Sequence, residues 1–306
     1  MESGRPKTIS LVGCGAWGTN ILRDLLALKC RVIVADIDPQ ARTTAIAKGA
    51  AAAFPGIAAL PECDGYVVAV PIPDLTPVCA DLLKHKKPIF AEKTLCRSPH
   101  DFKRLIGLGG ARYIFAMHKW QYHPGIEALR QVAQSKKLGA IEELHVTRHA
   151  WVEDFHGGDV FWTLAVHDLT IVRHILGHIP RKVRALNVIR SGNGFPVAFT
   201  AVMGEKPAVV ISVSGRHCRK RSGVSIHGPK GSAELYSAYD GHISIRDEIG
   251  AGRVAIDKTF PLFLELKEFV GYLHQGPEPR CSLKDTWDVT RAILALRKKA
   301  ALTTDR

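Results

Sequence analysis

The chain has 306 residues, of which 46% are hydrophobic and 23% charged, and a formal net charge of +13. That length supports two domains with separate cores, and the composition is that of a globular protein, not of a disordered or fibrous one. No apolar run is long enough to span a bilayer, and seven cysteines without a CxxC pair argue against both a disulfide framework and a zinc ribbon.

The first element predicted is a buried strand, Ile9 to Val12, that runs straight into Gly13-Cys14-Gly15-Ala16-Trp17-Gly18. Gly13 permits the tight turn, Gly15 lets backbone approach a pyrophosphate, and Gly18 lets the next helix pack onto the strand. The helix from Trp17 to Leu28 aims its N-terminal amides at the phosphates. A second strand, Arg31 to Asp36, carries at its end the acid that would bind a ribose hydroxyl. This unit predicts NAD as cofactor, because a carboxylate repels a 2′-phosphate. Arg42 lies near enough to keep NADP open.

A helix follows from Pro39 to Lys48, then a fully apolar strand from Gly65 to Val70, a helix from Pro73 to His85 and a strand from Pro88 to Ala91. Ser98 caps a helix from Pro99 to Leu108, and Tyr113 to Met117 is the next strand. This rhythm is a doubly wound parallel sheet, placed in a dinucleotide-binding domain over residues 1–119. Past residue 120 the pattern changes. A helix from Pro124, a long strand from Ile141 to Val152 and a helix from Phe161 to Leu176 lead into six strand-like runs between Val183 and Ile245. Two helical sections, from Pro261 and from Leu283, close the chain. The expected second domain, residues 120–306, is α/β with a large, mostly antiparallel open sheet.

Three places carry polar groups suited to chemistry. Glu92-Lys93-Thr94 follows a strand end where α/β sheets bind ligands, and Lys93 there could exchange a proton or bind an oxygen gaining charge. Thr163 and His167 share a helix face one turn apart, and a histidine exchanges protons near neutral pH. Asp168 points elsewhere and reads as structural. His118, Tyr122 and His123 lie where the two domains join. The loop Glu153 to Asp159, with His156, is rich in potential metal ligands, but their spacing is irregular and no metal is expected. The basic clusters Lys84 to Lys87, Arg216 to Arg221 and Arg297 to Lys299 match no nucleic-acid module. They read either as a solvated surface or as a field that steers a phosphorylated or carboxylated substrate, and neither nucleic acid nor membrane is expected as a partner. The polar first residues and scattered cysteines suggest a cytoplasmic protein.

These motifs, in this order, resemble the Gfo/Idh/MocA family of glucose–fructose oxidoreductases and inositol dehydrogenases. The likeness rests on Gly13 to Gly18 with Asp36, Val70-Pro71, Glu92-Lys93, Tyr122-His123-Pro124, Gly157-Gly158 leading to His167-Asp168, and the late run Pro261 to Phe269. It implies a Rossmann domain followed by an α/β domain that forms homodimers or homotetramers through its sheet. Ala16, Trp17, Val70, Pro71, Glu92 and Lys93 would then join the glycines and Asp36 around the cofactor. The implied activity is hydride transfer between NAD(P) and a sugar-like or anionic substrate. Lys93 and His167 would handle protons, while Thr163, His118, Tyr122, His123 and Arg148 would orient the substrate. Trp17 to Asn20 and Trp162 to Asp168 are similar to the branch acting on nucleotide-linked sugars. Three positions depart from the family: Thr94 replaces the proline of its EKP motif, Thr163 its aspartate, and Leu75 its histidine after the fourth strand. These departures raise the alternative of a catalytically silent, cofactor-binding sensor.

Overall fold

The computed structural model describes residues 5–155 and 159–302. Contacts divide the chain into two units. The first runs to Lys119 and takes in Phe260–Trp287; the second comprises Trp120–Thr259 and the chain from Asp288 onward.

The first unit is built on six strands: β1 (Thr8–Val12), β2 (Arg31–Ala35), β3 (Ala52–Phe54), β4 (Gly65–Val68), β5 (Ile89–Glu92) and β6 (Ile114–Met117). All pair in parallel in the order β3-β2-β1-β4-β5-β6, the doubly wound arrangement whose order reverses between β1 and β4. The intervening helices are α1 (Ala16–Ala27), α2 (Pro39–Ala47), α3 (Ile72–Leu82), α4 (Pro99–Gly107) and the short α5 (Gly110–Tyr113). Central strands such as β4 are buried at every residue, which explains their unbroken apolar sequence. Asp38 caps α2 through the Gln40 amide, and Ser98 caps α4 through the Asp101 amide.

The second unit begins with a 3₁₀ turn at Lys119–Tyr122, then α6 (Pro124–Gln134) and the long strand β7 (Glu143–Trp151). A π-helical turn, Phe161–Ala165, leads into α7 (Val166–Leu176). The strands β8 (Val183–Arg190), β9 (Pro196–Met203), β10 (Ala208–Ser214), β11 (Arg216–Gly228), β12 (Gly231–Leu235), β13 (His242–Asp247) and β14 (Ala251–Ala255) follow. With β7 they form an eight-stranded sheet in the order β14-β13-β12-β11-β7-β10-β9-β8. Its pairs are antiparallel except β7 with β10. One face carries Leu144, Val146, Phe199, Ile211 and Val224 into a core with Ile126, Leu129, Leu169 and Val172 of α6 and α7. The opposite face bears His145, His149, Ser212, Ser225 and His227, which hydrogen-bond or touch in pairs.

Two late helices complete the units: α8 (Pro261–Leu273) and α9 (Leu283–Leu302). The placement of residues 120–306 in one domain needs correction here. Leu262, Leu266, Phe269 and Val270 of α8 pack with Ile9, Leu11, Phe90 and Phe115, so this segment belongs to the first unit. Phe269 stacks on Phe90 with ring centroids 4.9 Å apart. Strands β3 and β14 also lie outside the sequence reading. One has three residues, and the other is exposed throughout and so lacks hydrophobic alternation.

Candidate functional site

The glycine turn after β1 is shaped by close backbone approach. Gly13 has φ +88°, and a Cβ there would lie 2.5 Å from the Ala69 carbonyl oxygen. A Cβ on Gly18 would sit 2.3 Å from the Gly13 carbonyl oxygen, which is the helix-to-turn packing its position requires. Val70 lies against the same turn, since its Cγ1 would be 3.1 Å from that Gly13 Cβ. Gly15 differs, because a Cβ there meets nothing within 4 Å. The chain's own packing does not demand glycine at this point, whereas a ligand lying against the backbone does.

Asp36 closes the turn. One carboxylate oxygen accepts from the Cys14 amide at 2.6 Å and the other from the Asp38 amide at 2.9 Å. Arg42 donates to the Asp36 and Ile37 carbonyl oxygens at 2.8 and 3.1 Å, which ties it to the backbone beside that acid.

Glu92, at the end of β5, joins the glycine turn to the lysine. Trp17 donates its indole N–H to Glu92 Oε1, and the Lys93 amide donates to Oε2 at 3.1 Å. The Lys93–Thr94 peptide is cis and Thr94 is buried. Among the described residues Lys93 Nζ has no hydrogen-bond or ion-pair partner, and the residue is half-buried. Lys119 Nζ lies 4.4 Å from the centre of the Trp17 ring. Pro71 caps the start of α3, and Leu75, where the resemblance places a histidine, is fully buried among Val68, Cys79 and Ala91.

Glu265 was not singled out from the sequence. Its side chain is 0% exposed, and among the described residues neither carboxylate oxygen has a hydrogen-bond partner. Burial, and then the neighbouring Glu92 carboxylate, push its pKa well above the usual range and favour the protonated acid. The signal was present: Leu262, Glu265, Leu266 and Phe269 follow the i, i+3, i+4, i+7 stripe of a core face, with an acid where an apolar residue belongs.

In the second unit, Asp159 accepts from the Phe161 and Trp162 amides at 3.0 and 3.2 Å and pairs with Arg297. It thus starts the helical segment that carries Thr163 and His167. Thr163 donates its hydroxyl to the Phe155 carbonyl at 3.1 Å. His167 and Trp120 meet edge-on with ring centroids 6.5 Å apart. Arg148 Nε donates to Asp168 Oδ1 at 2.7 Å, and the guanidinium lies 4.4 Å above the Trp120 ring. Asp168 is completely buried, and burial outweighs Arg148 to push its carboxyl up to about 6.

His123 requires correction as a substrate ligand. Its Nδ1 accepts from the Gly125 amide at 3.1 Å, capping α6, and Nε2 donates to the Ala238 carbonyl at 2.9 Å. Burial lowers its pKa, so it is a neutral structural cap with both nitrogens engaged. His118 and Tyr122 are buried, at 1% and 4% exposure. His118 and Lys93 belong to the first unit, while His167, Thr163, Tyr122 and Arg148 belong to the second. The metal-ligand loop falls partly outside the described residues, as do His156, Gly157 and Gly158. Among the described residues no three His, Cys, Asp or Glu side chains are grouped to hold a metal, and no helix is long and apolar enough to cross a membrane.

Comparison with known proteins finds similarity over part of the second unit. Residues 126–234 match the family model described as the GFO/IDH/MocA C-terminal domain. The inositol 2-dehydrogenase of Burkholderia cenocepacia is 30% identical over 182 residues, covering 55% of this chain and 54% of that protein. The chain thus matches about half the length of the curated relatives found. An Agrobacterium radiobacter oxidoreductase, solved with NAD+, L-tartaric acid and magnesium, superposes with a TM-score of 0.86 at 17% identity, over 96% of each chain. A UDP-N-acetylglucosamine 3-dehydrogenase from Acidithiobacillus ferrooxidans gives 0.85 at 20% identity, over 96% of this chain and 98% of that one. At such identities the likeness is one of fold, and it extends over both units.

Proposed function

We propose that the protein is an NAD(P)-dependent oxidoreductase acting on a sugar-like or anionic small molecule. The observation that carries this reading is the contrast within the glycine turn: Gly13 and Gly18 are required by neighbouring backbone, whereas Gly15 faces open space. An open glycine beside a helix N-terminus at the sheet's switch point fits a pyrophosphate. The amides around Gly15, Ala16 and Trp17 would hold it, with Val70 and Pro71 beside the turn. Asp36 would hold the adenosine ribose and favours NAD over NADP. When bound, the nicotinamide supplies or accepts the hydride.

The residues of this chain then manage the proton and the geometry. Glu92, holding both Trp17 and the Lys93 amide, fixes the lysine-bearing turn relative to the glycine turn. Lys93 Nζ donates or accepts the proton at a substrate oxygen, or stabilises charge that develops there. His167 is the second proton-handling group. Thr163 can still accept a substrate hydroxyl, since its own proton is committed to Phe155. His118, Tyr122 and Arg148 orient the substrate. The NAD+ in the Agrobacterium oxidoreductase and the names of the inositol and UDP-N-acetylglucosamine dehydrogenases support the same chemistry. Free thiols at all seven cysteines suit a reducing cytoplasm, and the polar face of the eight-stranded sheet is the surface we assign to a homodimer or homotetramer.

Lys93→Ala tests the catalytic part. Turnover of NADH against a panel of keto-sugars should fall by about two orders of magnitude while NADH affinity stays within about threefold. Unchanged turnover would remove Lys93 from the chemistry. A second reading, a cofactor-binding sensor without turnover, is favoured by one observation: Thr163 stands one turn before His167 with its hydroxyl proton spent on the backbone. Tight NADH binding with no oxidation or reduction across the panel would select it.

A further inference from the structure

We propose that the second unit contains a carboxylate-recognition site formed by the terminal nitrogens of Arg148 on the Trp120 ring, so that the substrate is a sugar-derived acid. This deepens the oxidoreductase reading and rests on it only for the word substrate; the binding site stands on its own geometry.

The argument begins with strand alternation. Leu144, Val146 and Arg148 share the face of β7 that forms the core, so a guanidinium occupies a place where the pattern calls for an apolar side chain. Its side chain is 9% exposed, and that of its partner Asp168 is fully buried. A buried ion pair is seldom more stable than an apolar pair of the same volume, so stability does not account for these residues. Nor is the pair self-sufficient. Arg148 uses only Nε, and among the described residues its two terminal nitrogens make no hydrogen bond. Asp168 Oδ2 and the Trp120 indole N–H are likewise buried without hydrogen-bond partners among the described residues. Native interiors pair nearly all buried polar groups, and here two unpaired ones belong to the residues that hold a single guanidinium.

The geometry selects the ligand class. Asp168 fixes the Nε edge of the guanidinium and Trp120 covers one face, which leaves the terminal fork as the free edge. Two parallel N–H groups in one plane match the two oxygens of a carboxylate. Asp168 neutralises the arginine, so the site has no surplus charge for a phosphate dianion and recognises a monoanion through hydrogen bonds. With His167 at the edge of the same tryptophan, the acid would be bound next to a group able to exchange protons. Aldonates and uronates, which carry one carboxylate and several hydroxyls, are the class that fits.

The test measures binding to the whole protein, with and without NADH, by calorimetry. Two matched pairs are compared, glucuronate with glucose and gluconate with glucitol, and glucose 6-phosphate is included as a phosphate control. The expected result is that the acid of at least one pair binds about tenfold more tightly than its neutral partner and more tightly than the phosphate. The paired variant Arg148→Met with Asp168→Leu removes both charges together and should fold. Its acid preference should drop to within about twofold, with NADH affinity retained. Arg148→Lys keeps Asp168 paired but has no fork, and should lose most of the preference if the double variant is unstable. The inference is overturned by equal binding of acid and neutral partner, by stronger binding of the phosphate, by no acid binding up to about 10 mM, or by a preference that survives substitution. Acid binding with this pattern in a protein that ignores NADH would leave the inference standing and end the redox reading. NADH binding without acid preference would do the reverse.

Discussion

The two groups of candidate residues, one in each unit, are built differently. The glycine turn of the first unit works through backbone: its form is set by what a Cβ would strike at Gly13 and Gly18 and would not strike at Gly15. The polar cluster of the second unit works through side chains whose meaning depends on partners distant in sequence. Arg148 lies 20 residues from Asp168 and gains its orientation from Trp120. A backbone site tolerates almost any side chain except at its glycines. A side-chain site is exchanged residue by residue, and Thr163, where the resemblance places an aspartate, lies in that second unit.

The largest expected effect breaks the backbone half. Gly13→Val places a branched side chain at φ +88° within 2.5 Å of the Ala69 carbonyl oxygen. Urea denaturation should show a loss of about 3 kcal/mol or more, from overpacking and left-handed strain together. A loss under about 1 kcal/mol would mean that the turn is looser than described.

The next sharpens the contrast from the side of the buried pair. The Asp168 carboxyl is raised from 3.8 to about 6. Its folded state binds the proton more tightly than the unfolded chain, so this group's contribution is fully present below about pH 4 and lost as pH rises through about 6. The limiting size is about 3 kcal/mol. Asp168→Asn should therefore flatten the fall in urea midpoint between pH 4 and pH 7 relative to the wild type. Identical pH profiles in the two proteins would contradict the assignment.

The smallest effect separates a cap from a ligand. His123→Ala should cost about 1 kcal/mol through loss of the α6 cap and the Ala238 link, with substrate KM unchanged. A KM rise of about tenfold without loss of stability would restore His123 to the substrate site.

The same contrast decides how much was legible in the sequence. Strand, glycines, helix and terminal acid are local in the chain, and the turn from Gly13 to Asp36 could be read directly. The parallel sheet followed from apolar runs such as Gly65 to Val70, of which Gly65–Val68 form the strand. The return of α8 to the first unit was not legible, because an amphipathic helix does not announce which core its stripe will cover. Arg148 was placed with the substrate, but its pairing with Asp168 was missed, since residues adjacent to a candidate histidine give no hint of a partner on β7. His123 was misplaced because a histidine before proline at a helix start can cap as well as bind. Glu265 broke an apolar stripe and could have been noticed.

The central claim is that the amides around Gly15 hold the pyrophosphate of a pyridine dinucleotide. Calorimetric titration of the intact protein with NAD+, NADH, NADP+ and NADPH, beside Gly15→Val, tests it most directly. The account predicts one NADH bound per chain, and a Gly15→Val protein that melts as the wild type does but binds about tenfold or more weakly. Absence of heat with all four dinucleotides, or undiminished binding by Gly15→Val, would contradict it.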